Sequence, residues 1–62
     1  MKLIYNHAKR EIRNDAGDIL SFEEAEKAYI EGRVTDNNLA MGTLFDHDGD
    51  MDAVEDYYQS VS

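Results

Sequence analysis

Ser21-Phe22-Glu23-Glu24-Ala25-Glu26-Lys27-Ala28-Tyr29-Ile30-Glu31-Gly32 is the best-marked segment of this chain, and the fold turns on how it is read. A Ser followed three residues later by a Glu is a capping box. The Ser21 hydroxyl can accept from the Glu24 amide while the Glu24 carboxylate reaches back to the Ser21 amide. Phe22, Ala25 and Tyr29 then fall on one helical face, with Glu23 and Lys27 as an i,i+4 pair on another. Gly32 supplies the left-handed stop. The spacing predicts a helix over about residues 22–31.

Towards the N-terminus the pattern changes. Lys2 to Tyr5 is short, apolar and rich in strand formers, and Arg10-Glu11-Ile12-Arg13 alternates. Asn14-Asp15-Ala16-Gly17-Asp18 is a turn cluster before Ile19-Leu20. A β-hairpin is the preferred reading, against a helix through residues 3–13 that would gather Leu3, Ile4, Ala8 and Ile12.

Towards the C-terminus, Thr35-Asp36 offers a second N-cap ahead of residues 37–45, where Ala40, Met41, Leu44 and Phe45 share an arc of about 140° at helical spacing. Leu39, Met41, Thr43 and Phe45 would share a face at strand spacing, and helix is preferred. Asp52-Ala53-Val54-Glu55 repeats the cap logic with Asp52 as N-cap. In the helix that follows, Ala53, Val54, Tyr57, Tyr58 and Val61 form the apolar side. The fold expected is therefore a small α+β domain spanning residues 1–62. Its N-terminal β-hairpin packs on the capped helix at about 22–31, with one or two short C-terminal helices after it.

At 62 residues a chain buries only about 60% of the surface its unfolded form exposes, so the core is small. There is no Cys, which removes disulfides and thiolate zinc sites and suits a reducing compartment. No run approaches the roughly 20 apolar residues of a membrane span, and the first residues are too short for a signal segment. The chain starts at Met and carries no tag. A complete, soluble, cytoplasmic gene product is the expectation.

Charge is strongly segregated. Residues 1–33 hold six bases and seven acids, whereas residues 34–62 hold seven acids and no Lys or Arg, giving −8 for the whole. Such a C-terminal half disfavours direct contact with nucleic acid or an anionic membrane and favours a metal ion or a basic partner. Its centre is Leu44 to Asp56, LFDHDGDMDAVED, with carboxylates at Asp46, Asp48, Asp50, Asp52, Glu55 and Asp56.

Two sharp readings of that stretch stand beside a bland one. If residues 46–52 were extended, four Asp side chains would line one side about 6.7 Å apart, close to two axial steps along a DNA strand. The likeness in style is to the short acidic inhibitors, many of them phage-encoded, that block nucleases, polymerases or CRISPR effectors. It implies a non-enzymatic protein that occludes a basic, nucleic-acid-binding surface of its target. Asp46, Asp48, Asp50, Asp52, Glu55 and Asp56 would face that surface, with Tyr58 as the exposed ring at the rim.

The stretch also resembles an EF-hand or dockerin calcium loop. With Asp46 first, Asp48 and Asp50 take the third and fifth positions. With Leu44 first, Gly49 and Glu55 take the sixth and twelfth. Ile19 to Glu24 looks like the end of a second such loop. This alternative implies a small calcium-binding module over about residues 44–57, using Asp46, Asp48, Asp50 and Glu55. The bland reading is a solvated turn made of the residues that turns and N-caps use. No Cys or Ser–His arrangement and no phosphate-cradling Gly-rich loop points to catalysis, and a core this small has scant means of tuning a carboxylate.

Overall fold

A computed structural model describes residues 1–61, in the order β1 (Lys2–Asn6), β2 (Glu11–Asn14), β3 (Ile19–Leu20), α1 (Phe22–Ile30), β4 (Asp36–Asn37), α2 (Leu39–Asp46) and α3 (Met51–Val61). The α+β expectation holds, and the N-terminal strands extend beyond a hairpin. The sheet has four strands in the order β3-β2-β1-β4, with β1–β2 and β2–β3 antiparallel and β1–β4 parallel.

Each tight turn of the meander is opened by an Asn. Asn6 Oδ1 accepts from the amides of Ala8 and Lys9, and Asn14 Oδ1 accepts from those of Ala16 and Asp18, all at 3.0–3.2 Å. A short side-chain acceptor imitating a backbone turn is what Asn contributes at such places. Gly17, at φ +87°, completes the second turn.

Strand alternation sets the layers. Leu3, Tyr5 and Ile12 point to one face and are buried, and Ala25, Ala40, Met41, Leu44 and Val54 of the helices close over them. On the other face Ile4, Arg13 and Ile19 form one exposed cross-strand row. Antiparallel strands such as β1, β2 and β3 commonly keep one face in water.

The capping box on α1 is present as read: Glu24 N donates to Ser21 Oγ at 3.2 Å and Ser21 N donates to Glu24 Oε1 at 3.1 Å. One face residue differs. Ala28, not Tyr29, continues the buried line from Ala25, and Tyr29 is 55% exposed, with its ring lying 4.7 Å from that of Phe45. Ala25 and Ala28 are the buried residues of α1. The expected Glu23–Lys27 pair is not among the ion pairs of the described residues.

Residues 36–45 resolve into a strand and then a helix. Asp36–Asn37 pairs with β1, and the α2 cap is Asn38 rather than Thr35 or Asp36. The reason lies across the sheet. Asn38 Oδ1 accepts from Met41 N at 2.9 Å and from Tyr5 N at 3.1 Å, while its Nδ2 donates to the Tyr5 carbonyl at 3.1 Å. One side chain thus caps a helix and satisfies the edge of β1 where β4 ends. In α3, Val54 is fully buried. The expected place of Val61 on the apolar side lies outside the described side chains. Among the described residues no helix is long and apolar enough to cross a membrane.

Candidate partner-binding surface

The acidic stretch is not an extended ladder. It is the end of α2, a turn over residues 47–50, and the start of α3. His47 N donates to the carbonyls of Thr43 and Leu44, and Gly49 N donates to that of Leu44 at 2.9 Å. Asp48 (φ +54°) and Gly49 (φ +82°) both sit in the left-handed region. Asp is one of the few non-Gly residues that adopt it readily. At position 49 the requirement is stricter, because a Cβ there would stand 2.5 Å from Cδ2 of Phe22. Gly49 is therefore present so that the turn can lie against the Phe22 ring.

The α3 cap is Asp50, not Asp52. Asp50 Oδ1 accepts from Ala53 N at 3.1 Å, and its carbonyl accepts from Val54 N at 3.2 Å. The geometry moved two residues because the left-handed pair at 48 and 49 already turns the chain. His47 Nδ1 lies 2.8 Å from the Thr43 carbonyl, so that nitrogen carries the proton.

The six carboxylates consequently divide. Asp52 pairs with Arg10 at 2.8 Å, and Glu55 meets His7 Nδ1 at 3.0 Å. Both partners come from the β1–β2 turn, where Arg10 is itself at φ +54°. Asp46, Asp48 and Asp56 are exposed and have no ion pair among the described residues, and Asp50 is exposed but engaged as a cap. Expected as one row, they are carried instead by a helix end, a turn and a helix, because residues 46–52 are not extended.

The aromatic expectation is also corrected. Tyr58 is half-buried and stacks on His7, with centroids 4.1 Å apart and planes 7° from parallel. Tyr57 is the exposed ring, at 44%, edge-on to Tyr58 and 6.4 Å from His47. Tyr57 was expected on the apolar side of the last helix, and His7 and Arg10 were given no part in the site. Position 7 meets position 55 across 48 residues, and no local spacing encodes that contact.

Beneath this junction lies Tyr5, whose hydroxyl is buried with no hydrogen-bond partner among the described residues. Burial raises its pKa above the usual tyrosine value; the Arg10 charge opposes the rise and the Glu55 charge adds to it.

The carboxylates named for calcium, Asp46, Asp48, Asp50 and Glu55, are held apart by the surrounding structure. The helices are joined by only four residues, Glu55 is turned to His7, and Asp50 is turned to its own helix. Among the described residues no group of three or more His, Asp or Glu side chains converges on one point. In the first half, Glu24 is held by the capping box. Comparisons with family models, curated proteins and solved structures find no match.

Proposed function

We propose that this chain is a non-enzymatic acidic binding protein that occupies a basic, nucleic-acid-binding surface of a target protein by charge mimicry, acting in the cytoplasm as phage-type inhibitors do. The observation that carries the reading is the set of exposed carboxylates at Asp46, Asp48 and Asp56, without internal counter-ions among the described residues and beside the exposed Tyr57 ring. No cation follows Arg33 in the sequence, so nothing in the C-terminal half competes with a partner's Lys and Arg. Tyr beside carboxylates suits an Arg-bearing surface, since a guanidinium stacks on the ring while it bonds to the acid. The target contact uses Asp46, Asp48, Asp56 and Tyr57, with Asp50 contributing charge, whereas Asp52 and Glu55 serve chiefly to hold the β1–β2 turn on α3.

Capture of basic nucleic-acid-binding proteins at low and high salt tests this. Replacing Asp46, Asp48 and Asp56 together with Asn should weaken binding at least tenfold at low salt, and added salt should weaken the unsubstituted protein similarly. Capture indifferent to both changes removes the electrostatic mechanism.

A further inference from the structure

Two cations of the described residues, Lys27 and Arg33, stand together away from the acidic turn. Met1, Leu20, Glu24, Lys27, Ala28 and Arg33 line an open recess of about 260 Å³ beside α1. Its apolar lining comes from the half-buried Met1 and Leu20 and the buried Ala28. Lys27 has three acids at helical spacing, Glu23, Glu24 and Glu31, yet forms no ion pair among the described residues. Glu24 is committed to the Ser21 amide and Glu31 to Arg33, at 2.6 Å. Arg33 spends Nε and one Nη on Glu31 Oε1, which leaves its Nη1 with no partner among the described residues. Lys27, like Lys9, has no ion pair among the described residues, and unlike Lys9 it lines a recess that also has an apolar side.

We propose that this recess binds a small monocarboxylate with a compact apolar body, such as a single ring or a branched chain. The carboxylate meets Lys27 Nζ and Arg33 Nη1, and the apolar body lies on Met1, Leu20 and Ala28. Three features select the class. The two cations reject a cationic ligand. The Glu24 carboxylate at the rim disfavours a dianion such as a phosphate monoester. The volume, below the roughly 300 Å³ at which sites for drug-sized ligands begin, limits the body to about one ring.

The test is a titration of the ¹⁵N-labelled protein with sodium benzoate, followed by amide shifts, with benzamide and methyl phosphate as parallel arms. Saturable shifts confined to the amides around Leu20, Lys27, Ala28 and Arg33, with a dissociation constant of about millimolar, are expected for so small a ligand. Benzamide should bind about tenfold more weakly for want of the charge-assisted bonds, and methyl phosphate should also bind more weakly than benzoate. Lys27→Met should weaken benzoate by about tenfold while Lys27→Arg retains it, and position 27 is exposed, so both variants should fold. Shifts that do not saturate or that scatter over the surface, equal binding of benzamide or methyl phosphate, or a Lys27→Met variant that binds benzoate unchanged would each overturn the proposal.

Discussion

Two acidic regions lie close together along this chain and do different work. At the junction of the β1–β2 turn with α3, Asp52 and Glu55 are matched by Arg10 and His7, and the His7–Tyr58 stack seals the contact. In and around the α2–α3 turn, Asp46 and Asp48 carry the same charge with no ion pair among the described residues, and Asp50 is spent on a helix cap. Composition makes the two regions indistinguishable. What separates them is whether the first thirteen residues fold back to meet them. An acidic stretch is therefore assigned side chain by side chain, with the internally matched carboxylates set aside before any outside partner is considered.

The comparison can be broken most severely at the turn itself. Gly49→Ala should cost about 3 kcal/mol, combining left-handed strain with the clash against Phe22. In a domain this small that is a loss of more than 10 °C in melting midpoint by circular dichroism. A loss below about 1 kcal/mol would mean that the turn does not lie on the Phe22 ring.

The division of labour is sharpened by a pair of substitutions. Asp50→Ala should destabilise by about 1 kcal/mol through loss of the α3 cap, and Asp52→Ala by clearly less, because the Arg10–Asp52 pair is exposed. Denaturant unfolding of the two variants decides it, and the reverse order would return the cap to position 52.

A smaller effect is expected at high pH. The Tyr5 hydroxyl has its pKa raised in the folded state, chiefly by burial, so the folded protein holds a proton that the unfolded chain releases. Stability is then undiminished below about pH 10, the value for an unperturbed tyrosine, and falls as the pH rises beyond it. Tyr5→Phe should flatten that fall in chemical denaturation series without loss at neutral pH, since it also removes an unpartnered buried hydroxyl. The smallest effect expected is none: millimolar calcium should leave the melting midpoint unchanged, because Asp46, Asp48, Asp50 and Glu55 do not converge. A rise in the midpoint would restore a calcium site at the turn.

Much of the fold was legible locally. The Ser21–Glu24 box, the Gly32 stop and the Asn14–Asp18 turn are carried by neighbours within a few positions, and such contacts form wherever the segment goes. The helix read for residues 37–45 holds from Leu39 onward, and its start was misplaced. Thr35 and Asp36 look like caps until β4 pairs with β1 and passes the role to Asn38, whose side chain bonds to Tyr5 from 33 residues away. The site was legible only as a region: the sequence located the carboxylates but not their partners.

By itself the sequence determined an α+β domain with a capped central helix and a C-terminal half lacking Lys and Arg, because propensity, capping and charge count are local or additive properties. Only the tertiary structure decided that Gly49 serves Phe22, that Tyr57 rather than Tyr58 faces outward, and that Glu55 meets His7 while Asp52 pairs with Arg10. Those outcomes depend on which surfaces the closing core brings within a few ångströms. Residues distant in the chain set that geometry together, and no single segment contains it.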